Sequence, residues 1–184
     1  MNKHSLLLAV LVTAVSTASH AATIKVTPTC SLTAAIDRAN ALDSVVDLLC
    51  VRLNDTPGFE DALDTIVFDS TVANLVPVAN TIALTSATTI DGGGRIILES
   101  TTKQRLFEVS ADVTLTGLTL RGTTFPSGGV RVLSGKLTVT HSTFSSNSAS
   151  FGGAIHVDDG GTLEASDTSF IGNEVRGRVA PPPL

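Results

Sequence analysis

The C-terminal half of the chain contains one short stretch written twice. Residues 137–147 return as residues 163–173, so every landmark is displaced by 26 positions. A fainter copy, residues 113–120, begins 24 positions before the first. A period in the twenties, built from short β-type runs and glycine turns, indicates a solenoid in which each repeat is one coil.

Glycine pairs separate the copies. Gly128 and Gly129 precede one alternating apolar run, and Gly152 and Gly153 precede the next. Glycine adopts backbone angles that residues with a Cβ resist, so we interpret these four residues as turn glycines.

Coils of this kind place like residues directly above one another, about 4.8 Å apart from layer to layer. The repeat therefore predicts a structural ladder in which Phe144 stacks on Phe170 inside the coil and Asn147 stacks on Asn173 at a turn. Stacked asparagine amides can hydrogen-bond along such a column. We predict an all-β fold, a right-handed single-stranded parallel β-helix over residues 64–175. An antiparallel sandwich would also contain many short strands, but it gives no reason to keep Phe and Asn in register.

Residues 1–22 have the pattern of a cleaved secretory signal. Lys3 precedes a ten-residue apolar run, residues 6–15, and small residues suited to cleavage follow near Ala21 or Ala22. Because the run is too short to cross a bilayer, and no later run reaches the required length, we predict no transmembrane segment in the mature chain.

Residues 23–63 are predicted to form an N-terminal cap on the β-helix. Helical spacing is found only in residues 31–41, where Ser31 or Thr33 is available as the N-cap and apolar residues share one face. A second helical turn is predicted near residues 43–49.

The two cysteines, Cys30 and Cys50, both lie in this cap. Export implies an oxidising compartment, which favours a disulfide between them over two buried thiols. Closing this loop would contribute about 3 kcal/mol on the chain-entropy estimate. The formal net charge of −5 argues against nucleic acid as a partner.

Short runs rich in β-branched residues follow, separated by Gly, Asn, Asp and Ser. They predict strands at residues 65–68, 81–84, 88–90, 95–98 and 106–109. The glycine turn at residues 91–94 is interpreted as the opening of the stack proper. The proline-rich residues 176–184 are predicted to be a disordered tail, because proline cannot extend a sheet.

Two sets of motifs resemble those of known families. Phe-Ser-Ser-Asn at 144–147 and Phe-Ile-Gly-Asn at 170–173 resemble the Phe-x-x-Asn motif of polymorphic outer membrane protein repeats. Gly-Gly-Ala-Ile at 152–155 resembles the companion motif, with a degraded copy at 128–131. Separately, residues 30–40 resemble the segment named for Cys-Ser-Leu-Arg-Glu-Ala, which opens many secreted bacterial β-helix proteins.

The second resemblance is partial, because Thr33 and Ala34 replace the Arg-Glu pair. In those secreted proteins an Asp-Thr-Ile-Val-Phe run often follows, as at residues 64–68 here. Together the resemblances imply a bacterial secreted or surface protein. In the repeat family such helices are passengers of autotransporters, commonly implicated in adhesion.

Some parallel β-helices are polysaccharide lyases or hydrolases, which need clustered carboxylates, often with an arginine nearby. Asp91 precedes Gly92, and Asp158 and Asp159 precede Gly160, so these carboxylates are expected to serve turns. His141 and Asp167 occupy equivalent positions in successive coils, where an exposed ladder pair is favoured over a catalytic dyad. We therefore predict no catalytic residue, no metal ligand and no cofactor. The candidates weighed were Asp91, Asp112, Asp158, Asp159, Asp167, Arg121 and Arg131.

The expected function is that of a non-enzymatic secreted or cell-surface protein, an adhesin-like passenger or an envelope component. The alternative is a polysaccharide lyase or hydrolase whose catalytic coils are missing from this chain. Expected partners are a host or neighbouring-cell protein or a glycan, with outward threonines at 114, 116, 138 and 140 as the contact surface. The expected location is extracellular, at the outer-membrane surface or periplasmic.

The C-terminal end predicts one further feature. No cap is evident after Phe170. We therefore expect that this chain is an N-terminal fragment of a longer protein, truncated near Arg176, and that its copies associate end to end. Prolines acting as a terminator are the alternative.

Overall fold

A computed structural model describes residues 22–40, 50, 52–53, 63–124 and 128–176 of the chain. The predicted fold class is confirmed, since the described residues form a parallel β-solenoid of about four stacked turns with a single short helix. The elements in chain order are β1 (Thr23–Val26), α1 (Leu32–Asn40), β2 (Arg52–Leu53), β3 (Asp64–Phe68), β4 (Leu75–Val78), β5 (Ile82–Leu84), β6 (Thr88–Ser100), β7 (Phe107–Val109), β8 (Val113–Arg121), β9 (Val130–Thr140), β10 (Thr143–Ser145), β11 (Ser148–Ala149), β12 (Ile155–Ser166), β13 (Ser169–Ile171) and β14 (Glu174–Val175).

One face of the solenoid contains the longest stack of parallel strands. It runs from β1 through β3 to the first halves of β6 and β8, and then to the second halves of β9 and β12. Alternate residues point inward, so equivalent apolar side chains form one buried column. Its members from the base upward are Ile24, Ile66, Ile90, Leu115 and Val139.

Two further faces complete each coil. The second stacks β4, the end of β6, the end of β8, β10 and β13, and the third stacks β5, β7 and the first parts of β9 and β12. The chain turns from one face to the next inside the long strands. Gly117 in β8 and Gly135 in β9 have φ of 61° and 73° at these bends, a region that L side chains rarely adopt.

Like residues lie above one another, as the repeat predicts. Phe144 and Phe170 are register partners whose rings stack with centroids 5.4 Å apart. Asn147 donates from Nδ2 to the carbonyl of Leu120 at 3.0 Å and to Oδ1 of Asn173 at 3.1 Å. Its Oδ1 accepts from the backbone N–H of Thr123 at 3.3 Å. The asparagine ladder therefore ties three successive layers together at one corner.

The base of the stack is covered by α1, next to the disulfide. Ser31 is the N-cap, since its Oγ accepts the N–H of Ala34 at 3.1 Å, and the buried face is the one that the spacing predicts. The predicted disulfide is confirmed between Cys30 and Cys50, whose Cα atoms are 5.0 Å apart. At the helix end, Asn40 donates from Nδ2 to the carbonyl of Ala83, at 2.8 Å, and so fixes the cap to the first coils.

Three details differ from the strand predictions. The runs at 88–90 and 95–98 belong to one strand, β6, which bends through its glycines without ending. A strand containing Pro77, β4, was not predicted. β1, within the predicted cap, is already a layer of the parallel sheet.

The predicted turn at 43–49, most of the leader and residues 177–184 of the tail lie outside the described residues.

The two stacked phenylalanines have different surroundings. We therefore expect them to contribute differently to the free energy of unfolding. Phe144 is fully buried, whereas Phe170 is 50% exposed. We expect Phe144→Ala to lower the free energy of unfolding by about 3–5 kcal/mol, because it leaves a cavity between two layers. Phe170→Ala, the matched control, should cost less than half as much. Denaturant unfolding followed by circular dichroism measures both, and equal losses would contradict this account.

Candidate functional site

The outward threonines of the longest face form a regular surface. Thr114 and Thr116 in β8 alternate with buried residues, and Thr138 and Thr140 in β9 are their register partners one layer above. We call these four residues the threonine face. All four residues are half-buried and lie on the outer side of the sheet.

Hydrogen bonding orders part of this surface. The hydroxyl oxygens of Thr116 and Thr140 are 2.9 Å apart and share a hydrogen bond across the layers. The neighbouring column, that of Thr114 and Thr138, continues towards the base, because the position of Thr114 is occupied by Thr89, Thr65 and Thr23 in the layers below. Five equivalent threonines therefore follow one line up the sheet. Each presents a hydroxyl that donates and accepts, beside a methyl group.

Two of the candidate aspartates serve the backbone. Asp91, which precedes a glycine, does so as predicted, whereas Asp158, which was also predicted to serve a turn, is held by Arg131. Asp91 accepts the N–H of Gly93 on Oδ1 at 2.8 Å, which closes the turn inside β6. Asp112 accepts the N–H of Lys136 at 2.9 Å and so links two layers. These carboxylates act as turn and ladder acceptors.

Arg131 and Asp158 form an ion pair on the third face. Arg131 Nε donates to both carboxylate oxygens of Asp158, at 3.2 and 3.0 Å, and Nη2 lies 2.8 Å from Oδ2. His156 Nε2 is 3.0 Å from Oδ1 of the same carboxylate. The hydrogen bond from Arg131 is the main cause that holds the pKa of Asp158 below its ordinary value, and the pKa of Arg131 is raised in turn.

The remaining candidates lie in separate places. His141 Nε2 is 3.6 Å from Oδ2 of Asp167, and both residues are exposed at turns with φ of 48° and 49°. Arg121 pairs with Glu99, Nε to Oε1 at 3.4 Å, on the second face. Asp159 is exposed beside Asp158. The geometry brings His141 and Asp167 together as a surface ladder pair, and it places His156 on another face.

A cavity of about 320 Å³ lies between the cap and the start of the second face. Thr27, Ser31 and Pro77 contribute to its wall, and the other described lining residues are mostly apolar. Among the described residues that line it, none carries a charge.

The described part of the chain holds no metal-binding cluster and no membrane-spanning helix. Within residues 22–40, 63–124 and 128–176 and the short pieces between them, no cluster of three or more His, Cys, Asp or Glu side chains is placed to hold a metal ion. No helix among these described residues is long and apolar enough to cross a membrane. No protein-family model, curated protein or solved structure matches this chain.

The four threonines of the threonine face were predicted from the sequence, but the threonines at the same outward position in the lower layers were missed. Thr65 and Thr89 each precede a buried isoleucine, and the same Thr-apolar pair opens β1 at Thr23. This recurring pair was the available signal. Thr23 was hidden because 42 positions separate it from Thr65, whereas Thr65, Thr89 and Thr114 follow one another at spacings of 24 and 25 positions.

The Arg131–Asp158 pair predicts a specific change in titration. In Arg131→Gln, the pKa of Asp158 should rise towards 3.8, because its main charged donor is removed. The stabilisation from this pair exists above pH 3.8 and is lost as pH falls through the lowered pKa, so the variant should show a weaker acid dependence of unfolding. Carboxyl NMR titration measures the shift. Lys136→Gln, which removes the partner of Glu164, is the control. An unchanged pKa of Asp158 in Arg131→Gln would disprove the assignment.

Proposed function

We propose that this protein is exported and acts without enzymatic activity, as a surface-binding β-helix in adhesion or in the cell envelope. Its ligand is an extended glycan chain that lies along the threonine face. The observation that carries the proposal is the column of equivalent hydroxyls, repeated at the layer spacing of a parallel sheet. A polymer with regularly spaced hydroxyl groups is the natural complement to such a column.

The chemistry of the face favours a neutral ligand. In the two layers of the threonine face, residues 113–116 and 137–140, no side chain is charged. Each threonine offers a hydrogen-bond donor and acceptor to sugar hydroxyls, while its methyl group contacts the apolar face of a sugar ring. Because the strands are held rigidly in register, the protein loses little conformational entropy when the polymer binds.

The oxidised Cys30–Cys50 pair supports export, since disulfides persist in oxidising compartments. The leader pattern in residues 1–22 and the resemblance to repeats of surface proteins point the same way. The carboxylates support the non-enzymatic assignment over the polysaccharide-cleaving alternative. Asp91 and Asp112 are engaged by backbone donors, and Asp158 is engaged by Arg131.

Lysine substitutions test the surface directly. We expect the double variant Thr114→Lys and Thr138→Lys to weaken glycan binding on the order of tenfold or more, about 1.4 kcal/mol, because two long charged side chains cover the contact line. A glycan array identifies the ligand, and titration calorimetry on the best hit measures the affinity.

The chain offers a matched control for this pair. Thr119 and Thr143 are also half-buried threonines in register on neighbouring layers, but they lie on the second face. Thr119→Lys with Thr143→Lys should leave the affinity unchanged. Equal losses in both double variants, or absence of binding on the array, would rule out the threonine face as a glycan site. Binding to a protein of the host or neighbouring cell in an adherence assay would instead favour a protein ligand.

A further inference from the structure

Asp64 is an acidic residue at an inward position of the longest face. Its register partner above is Thr88, and the layers above that place valine and leucine at the same position. Asp64 is 5% exposed and Ala22, beside it, is 2% exposed. A carboxylate buried at the edge of an apolar core needs strong donors or a cation close by, because its desolvation is costly.

Ala22 provides one of these donors. Its backbone N–H donates to Oδ1 of Asp64 at 3.1 Å, and its carbonyl accepts the N–H of Thr65 at 2.8 Å. Asp64 takes part in further contacts besides this one. Ala22 is therefore part of the folded stack, one position before β1, although the leader pattern extends to it.

We infer that the leader is removed at the Ala21–Ala22 bond, and that the new α-ammonium of Ala22 forms an ion pair with the buried Asp64. This inference rests on the proposed export. Cleavage there places small residues, Ser19 and Ala21, at the third and first positions before the cut. Cleavage one residue later would remove a donor to Asp64 and the acceptor of the Thr65 N–H.

The reaction is a peptide hydrolysis by a membrane-bound leader peptidase. Water adds to the carbonyl carbon of Ala21, the C–N bond to Ala22 breaks, and Ala21 departs as a carboxylate. The nitrogen of Ala22 keeps its hydrogen and takes one proton from the water, which gives an amine and a carboxylic acid. The acid then releases its proton to solvent, and the amine takes up one proton from solvent to become the ammonium. An α-amino group has an ordinary pKa of about 7.7–8.0, so it is mostly cationic at neutral pH.

Processing therefore changes the contact without moving it. An amide N–H that donates to a carboxylate becomes an ammonium at the same place, so a hydrogen bond to one charged group becomes an ion pair between two, with added Coulomb attraction. The base of the solenoid is then stabilised in the processed chain more than in the precursor.

The first test is the identity of the mature N-terminus. The full precursor is expressed in a Gram-negative host, and intact mass with N-terminal sequencing is determined on the exported protein. We expect a chain that begins at Ala22. A chain that begins at Thr23, or elsewhere, would overturn this inference and leave the proposed export intact. Precursor retained uncleaved in the cytoplasm would overturn both.

The second test measures the ion pair. Oxidised protein that begins at Ala22 is compared with the same protein carrying one extra glycine before Ala22, and with its Nα-acetylated form. We expect the free amine to give an unfolding equilibrium constant about tenfold smaller than either blocked form. Asp64→Asn should abolish this difference, whereas Asp91→Asn, the control, should retain it.

The comparison of blocked and free amines keeps Asp64 in place, so it decides the question even when Asp64→Asn does not fold. Equal stability of the three N-terminal forms would overturn the ion pair.

Discussion

The parallel register between layers is the constraint on which the rest of the structure depends. Each strand in the middle of the stack is hydrogen-bonded above and below, so a residue and its equivalent in the next coil are vertical neighbours. A slip of one residue would turn the inward column outward, because side chains alternate along a strand. The glycine turns protect this register. At Gly129, for example, an added Cβ would lie 2.5 Å from the carbonyl oxygen of Ala154 in the layer above.

The two ends of the described stack differ in how they are closed. At the base, α1 buries its apolar side and the disulfide joins two buried cysteines, Cys30 and Cys50. In the last described layer, inward residues are open on one side, so Leu163 and Phe170 are exposed although their partners below, Leu137 and Phe144, are fully buried. Stability should therefore fall from the middle of the stack towards this layer, where fewer contacts oppose local opening.

The sequence was sufficient to predict the fold because the repeat reports vertical neighbours directly. Phe144 and Phe170 could be paired from their spacing alone, and so could the asparagines that follow them. The lower layers were harder. β1 and β3 are register neighbours, yet 42 positions separate Thr23 from Thr65, because α1 and the cysteine loop are inserted between them. No periodicity survives such an insertion.

Strand limits were also poorly determined by the sequence. β6 continues through three glycines because a solenoid corner needs a bend and not an end of pairing. β4 includes Pro77, which a sheet interior would disfavour. Among the described strands β4 pairs with β6 alone, and so it tolerates a missing N–H. The contact between Ala22 and Asp64 had no sequence signal at all, since it depends on which residue of the leader boundary enters the first layer.

The same geometry that made the fold predictable bears on the kind of function it supports. Convergent chemistry requires several polar groups to meet in a concave site. In a solenoid the outward side chains of one face are parallel, and each meets its equivalent in the adjacent layer, as Thr116 meets Thr140 and His141 meets Asp167. Such an arrangement repeats one weak contact many times instead of concentrating different groups at one point. Recognition by repetition favours a ligand that is itself periodic, and affinity then grows with the number of layers that the ligand spans.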